Sequence, residues 1–271
     1  MSDTVTSSSP QYLHAYQPSE FREPDPNQVI RVKSSKMYRV KIETDSYTCS
    51  ISGICVTASG ELIIADKDNK KVKLLDQTYK AVAHCDLSNV PYSMCSIDSS
   101  QVAVALYNSV HFIRVTNGKL VQERTLKPQH ACKGIAHHQG NLYFTSGTAL
   151  YHYNVDGTLV SEMYEGTTPR LNSRTTVTSC AVSPDGDRIY VLNWESGQLV
   201  TLSRDGKVIS KLTDPALTIG RISILYISIS SCLHVHTLDK FWYVEPIQIQ
   251  SFRWTEMGDR DLQKWSHRMM V

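Results

Sequence analysis

The sequence predicts an all-β chain, a β-propeller of four-stranded blades, and three observations predict it. First, a unit recurs. It opens at Gly53, Ser93, Gly134, Ser179 and Gly220, in steps of 40, 41, 45 and 41 residues, and a period of about 40–45 residues is that of a propeller blade. Second, the units share one grammar of tight turns, with "ASG" (58–60), "HQG" (138–140) and "SPDG" (183–186) early in the unit and "TNG" (116–118), "VDG" (155–157) and "RDG" (204–206) late. Asn-Gly and Asp-Gly supply the positive φ angles of two-residue hairpins. Third, the apolar runs between turns are too short for helices, and no long stretch shows a 3.6-residue period before the C-terminus. An all-β sandwich is the competing architecture, and it rarely keeps so regular a spacing.

The elements follow in order. Residues 1–28 carry Ser, Pro and acidic residues without a period and read as a disordered lead. Strand patterning starts near Val29, and "KMYRVKI" (36–42) alternates as a strand does, so it is expected to form the outer strand of a closing blade. In each later unit a small residue opens strand A. Strand B follows as "ELIIA", "QVAVA", "NLYFT" or "RIYVL", and strand C as "KVKLL", "VHFIRV", "ALYHYNV" or "QLVTLS". In "KVKLL" the lysines are expected to point outward, and Asp66 and Asn69 to bond their own backbone across the B–C link. Blades are thus expected over 29–221. After Gly220-Arg221 the turn grammar fails, three of the four tryptophans crowd the end, and "GDRDLQKWSHRMMV" looks more like a loose helix. Residues 222–271 are expected to be an atypical segment, a partial blade or a tail outside the propeller that derives from a truncated or altered gene product.

Composition bounds the function. The 28 basic and 26 acidic residues leave a formal charge of +2, which gives no chain-wide electrostatic footprint for nucleic acid or membrane. No run reaches the ~18–20 apolar residues that span a bilayer, and "MSDTVTSSSP" is not a secretory signal. Seven cysteines, none in a C-x-x-C pair, read as reduced thiols of a cytoplasmic protein.

"GICVTASGELIIADKDNKKVKLLD" (53–76) resembles an NHL repeat, through Gly53, Val56, Gly60, Ala65-Asp66, Asn69, Lys71, Val72, Leu74-Leu75 and Asp76. "CAVSPDGDRIYVLNWESGQLVTLSRDGKV" (180–208) matches the related pattern with Leu192-Asn193 in place of Ala-Asp. The units at 93 and 134 are recognised mainly by spacing. The resemblance covers about residues 36–221 and points to the C-terminal propellers of tripartite-motif (TRIM-NHL-like) proteins. It implies a six-bladed ring, of which four full units and part of a fifth can be counted. Those relatives carry RING, B-box and coiled-coil segments, and nothing of that kind stands in this sequence, so ubiquitin-ligase chemistry is not expected here.

In an up-and-down blade the A–B and C–D turns lie on one face and the B–C and D–A links on the other. The second face holds the variable links, where a rigid scaffold usually carries its binding residues. Lys67, Lys70, Lys71 and Lys133, with Arg170 and Arg174, give it a modest basic excess over Asp68, Glu195 and Asp214. Tyr92, Tyr107 and Trp194 offer flat surfaces, with Asn108 beside Tyr107. A protein partner on this face is the expected role, and the chain is expected not to be an enzyme. Basic side chains interleaved with aromatics also suit single-stranded RNA, which some NHL propellers bind. A solvated rim with Trp194 packed between blades competes with both readings. His130, Cys132, His137 and His138 cluster, but successive strand residues point to opposite faces, so no metal and no cofactor is expected. A gluconolactonase-like, metal-dependent hydrolase is the third reading, with Asn193 where an axial ligand would sit and no matching glutamate or late aspartate.

Overall fold

The computed structural model describes residues 38–166 and 177–213, and the two strands Leu233–Leu238 and Phe241–Pro246. The expected disordered lead, the "RLNSR" link with Arg170 and Arg174, and the C-terminal helix lie outside these residues.

Four antiparallel sheets of four strands each follow one another along the chain. The first holds β1 (Ile51–Val56), β2 (Leu62–Asp66), β3 (Lys71–Leu75) and β4 (Ala81–Asp86). The second holds β5 (Pro91–Ser96), β6 (Gln101–Leu106), β7 (Ser109–Thr116) and β8 (Lys119–Leu126). The third holds β9 (Gly134–His138), β10 (Asn141–Thr145), β11 (Ala149–Asn154) and β12 (Leu159–Glu165). The fourth holds β13 (Val177–Val182), β14 (Arg188–Asn193), β15 (Gln198–Ser203) and β16 (Val208–Thr213). A hairpin, β17 (Leu233–Leu238) and β18 (Phe241–Pro246), lies within the stretch expected to be atypical. The architecture is an all-β propeller of four-stranded blades. Among the described residues there are four blades, not six, and no helix.

Strands A through D pair in simple up-and-down order within each blade. The first strands, β1, β5, β9 and β13, pack side by side in chain order. A small residue stands first in β9 and third in β1, β5 and β13, where these strands approach closely. A Cβ on Gly53 would stand 2.8 Å from the Cβ of Met94, and one on Gly134 would stand 2.9 Å from the backbone of Thr178 and Ser179. In β1, β5 and β13 the register slips at this small residue, a bulge that bends the strand. The amide of Ile135 donates to Ser93 Oγ at 3.2 Å and joins two inner strands directly. The β7–β8 hairpin turns through Asn117 (φ 51°) and Gly118 (φ 68°), the paired positive φ values that "TNG" predicts.

The core lies between blades. Ile63, Val72 and Leu74 of the first blade meet Met94, Val104 and Ile113 of the second. Phe112 meets Leu142 and Phe144 in the next interface, and Tyr143 and Leu150 meet Val191 and Val200 in the last. The second and third blades are therefore covered on both faces, and the lead-in covers the free face of the first, which corrects the expectation for β3. Lys73 is fully buried and Lys71 is 8% exposed. The lead-in, residues 38–50, covers the β3 face that carries Leu75 and Lys73: Val40 joins Leu62, Ile64 and Leu75, and the ring of Tyr38 lies 4.2 Å from that of Tyr79.

The described part of "KMYRVKI" is not a strand either. The amide of Ile42 donates to the Asp45 carboxylate at 2.9 Å and so is turned away from any ladder. Among the described residues no helix is long and apolar enough to cross a membrane, and all six described cysteines are free thiols.

Candidate binding face and its buried anchor

The B–C links 67–70, 107–108, 146–148 and 194–197, with the D–A links 87–90 and 127–133, form the candidate face. Its first link is held from below. Lys73 Nζ lies 2.5 Å from Asp45 Oδ2 and 2.7 Å from Asp66 Oδ2, and none of the three side chains has exposed surface. Nζ also donates to the Val40 carbonyl at 3.2 Å and lies 3.3 Å from Cys49 Sγ. Asp66 Oδ1 takes the amide of Ser50 at 3.0 Å, and its Oδ2 also accepts from Asn69 at 2.9 Å. Asn69 in turn grips the Tyr47 peptide, taking its amide at 2.9 Å and donating to its carbonyl at 3.2 Å. Asp66 and Asn69 thus bond the lead-in rather than cap their own link.

Burial alone would raise both carboxyls. The Lys73 ammonium outweighs it, aided by the Ile42 amide at Asp45 and by Asn69 and Ser50 at Asp66, and both are held below the usual carboxylate range. Burial alone would lower Lys73, and the two carboxylates reverse that and hold it above the usual lysine range. Burial first, and the Asp66 carboxylate second, push the Cys49 thiol up to about 12.

Asp45, Cys49 and Asp66 offer ligand atoms within 4.8 Å of one another. The Lys73 ammonium already sits among them as the cation, so they do not fit a metal ion. His130 is committed elsewhere: its Nδ1 bonds the Ala131 carbonyl at 2.8 Å, its Nε2 meets the Tyr153 hydroxyl at 3.0 Å, and its ring stacks on Tyr151 at 3.9 Å. His137 Nε2 accepts the Gly140 amide at 3.1 Å, and Cys132 is buried. Asn193 is buried, and its Oδ1 takes the Ser196 amide at 3.3 Å, so it is not an open axial ligand.

On the surface of this face, Lys67 Nζ stands 5.8 Å from the centre of the Tyr92 ring, and Tyr92 and Tyr107 lie 6.1 Å apart. Tyr92 is 37%, Tyr107 49% and Trp194 43% exposed. Lys67, Lys70 and Asn108 are also exposed, and neither lysine has an ion-pair partner among the described residues. The links are tied together from behind, with Leu87 N donating to Lys70 O at 2.8 Å and Cys132 N to Tyr107 O at 2.7 Å. Lys133, half-buried, donates its amide to Thr145 O at 2.7 Å, and burial lowers its ammonium pKa.

The structure thus brings Lys67 and Tyr107 to Tyr92, leaves Lys70 and Asn108 exposed on the same two B–C links, and sets Lys133 next along the chain from Cys132. Trp194 stands two blades further on and is exposed, not packed between blades. Lys71 leaves the set. It is buried and paired with Asp86, because its position opens β3 beneath the link. The anchor under the face was missed in the sequence. The signal was present, since Asp66 ends strand B and two lysines follow in the next strand.

No family model matches the chain, and no curated protein matches it. Solved structures do. Hydrazine synthase of Kuenenia stuttgartiensis is 15% identical with a TM-score of 0.49, over 64% of this chain and 52% of that one. Glutaminyl cyclase of Myxococcus xanthus is 14% identical with a TM-score of 0.48, over 78% of this chain and 95% of that one. Virginiamycin B lyase of Staphylococcus aureus is 17% identical with a TM-score of 0.47, over 63% of this chain and 57% of that one. The chain thus spans about half the length of the hydrazine synthase chain. All three are enzymes, which corrects the expectation that this chain is not one: the matched structures give no ground for excluding catalysis. None of their chemistry transfers at these identities, and the propeller assignment rests on the four blades themselves.

Proposed function

We propose that this chain is an NHL-like propeller, related to those of tripartite-motif proteins, that holds a protein partner on its B–C/D–A face. One observation carries the reading. Lys67, Tyr92 and Tyr107, drawn from the first two blades, form an exposed aromatic pair with a lysine beside it that makes no ion pair among the described residues. Tyr combines apolar area with a polar tip, and few residues of that kind dominate most interfaces. The anchor beneath gives the first link the rigidity that a preformed site needs.

The test uses the full chain with a photo-crosslinking phenylalanine analogue at position 107 or at position 160. Val160 lies on the outer strand β12 and is 50% exposed. A protein should be trapped from position 107 and not from 160. The purified partner should then bind Tyr107→Ala and Lys67→Ala about 5–30-fold more weakly. Equal trapping at both positions, or unchanged affinity, would reject the reading.

Single-stranded RNA is the second reading, favoured by the same lysine–tyrosine contact. Its affinity for a 12-nucleotide oligouridine should fall steeply with salt, because phosphate contacts release counterions, and should fall further in Lys70→Ala. The buried Lys71 is not a probe of that contact.

A further inference from the structure

The anchor contains a pair of groups that the proposed function does not use. Cys49 is half-buried, and its sulfur lies 3.3 Å from Lys73 Nζ and 3.5 Å from Asp45 Oδ2. Asp45 has no exposed side-chain surface, and its other oxygen, Oδ1, has no hydrogen-bond partner. A thiol, an ammonium and a carboxylate with one open oxygen thus meet in one small volume, while the buried Cys55 packs among apolar side chains.

We propose that Cys49 and Lys73 are a modification site, where a peroxide oxidant closes a reversible sulfur–nitrogen bond that welds the lead-in to β3. In the first step the Cys49 sulfur gives two electrons to the peroxide. The O–O bond breaks, the sulfur keeps one oxygen as a sulfenic acid, and water leaves. Sulfenic acids condense with nearby nitrogen nucleophiles to sulfenamides. In the second step Lys73 passes one ammonium proton to Asp45, whose Oδ1 is open to receive it. The freed amine attacks Sγ, the S–N bond forms and the S–O bond breaks. The departing hydroxide takes a second proton from nitrogen and leaves as water. One thiol, one ammonium and one peroxide give one sulfenamide, two waters and one proton held on Asp45. The buried charge of the cluster does not change, since a neutral Asp45 replaces the lost ammonium.

The contact at 3.3 Å brings sulfur and nitrogen together for the second step, but both steps are slow. The carboxylates that hold Lys73 protonated resist its giving up a proton. Thiolate is the form that attacks peroxide, and burial pushes the Cys49 thiol up to about 12. The site therefore answers sustained oxidant rather than a brief pulse, and it closes faster as the pH rises.

The experiment treats the full chain with hydrogen peroxide, digests it without reductant and weighs the fragments. The Cys49 and Lys73 peptides should be joined, about 2 Da lighter than the two reduced peptides together, and dithiothreitol should separate them. The joined species should be absent from Cys49→Ser and from Lys73→Arg, which keeps the cation. Adding dimedone with the peroxide should trap the sulfenic acid and suppress the joined species in the unmutated chain, so the result does not depend on either variant folding. Cys49 oxidised to the sulfinic acid with Lys73 unlinked would overturn the proposal. So would a joined species carrying an extra oxygen.

Discussion

Replacing Lys73 with methionine removes the cation from a cluster in which two carboxylates have no solvent. Both ion pairs, at 2.5 and 2.7 Å, join side chains without exposed surface. Breaking a buried pair by removing one partner costs about 3–5 kcal/mol. Here one substitution strands two carboxylates. Asp45 keeps the Ile42 amide, and Asp66 keeps Ser50 and Asn69. The expected loss is therefore about 4 kcal/mol at neutral pH, a fall in Tm of about 8–16 °C for a domain of this size.

The pH dependence separates this mechanism from a packing defect. In the unmodified chain the carboxyls of Asp45 and Asp66 are depressed, so their contribution is present above the unfolded carboxylate range. It is lost as pH falls through their lower folded values. Lys73 is raised, so its contribution is present below the unfolded lysine range and lost as pH rises through its higher folded value. In Lys73→Met the same buried carboxyls have raised values. The defect should shrink as pH drops from about 7 to about 5, where they accept protons. Thermal unfolding followed by circular dichroism across that range reads both effects. A variant within about 2 °C of the parent at neutral pH, or a gap that does not narrow on acidification, would refute the assignment.

Three further outcomes are expected. Gly134→Ala would set a Cβ 2.6 Å from Thr145 Oγ1 and 2.9 Å from the Thr178 carbonyl; urea unfolding should show a loss of about 1–3 kcal/mol, and an unchanged midpoint would mean the inner strands are further apart. Thr145→Val removes the oxygen that takes the Gly134 amide at 2.7 Å, and the orphaned buried donor should cost about 1–3 kcal/mol, with Thr145→Ser close to the parent. Burial pushes Cys55, Cys132 and Cys180 each up to about 12, so their alkylation by iodoacetamide should track unfolding in urea; fast labelling in the native state would show the blade interfaces to be open.

The blades were legible because turns and small residues are local signals. A positive φ at Gly118 needs only its own residue type, and the recurring opener at Gly53 and Gly134 marks a close approach that repeats with the period. What failed was the inference that the lysines of β3 face solvent. Alternation in "KVKLL" does report two faces, since Val72 and Leu74 point to the second blade. It does not report what covers the other face. In a sheet with one solvated side the lysines would be outside; in a blade flanked on both sides the chain must cover Lys73 and neutralise it. The covering piece is residues 38–50, whose own strand-like pattern concealed that Ile42 gives its amide to Asp45.

The candidate face divides along the same line. Exposure of Tyr107 and Lys67 followed from their place in links, whereas Lys71, one position beyond its link, was lost to the interior. Recognition of a ligand would thus rest on the exposed lysines and tyrosines, and the link that carries Lys67 and Lys70 is held from below by Asp66, which the buried Lys73 cation pairs. A partner bound at Lys67 should therefore feel Lys73→Met through the link between them even though Lys73 touches no solvent. Weaker binding by Lys73→Met at a temperature where it is still folded would connect the anchor to the face, and unchanged affinity would show the link to be held by Asn69 and Tyr47 alone.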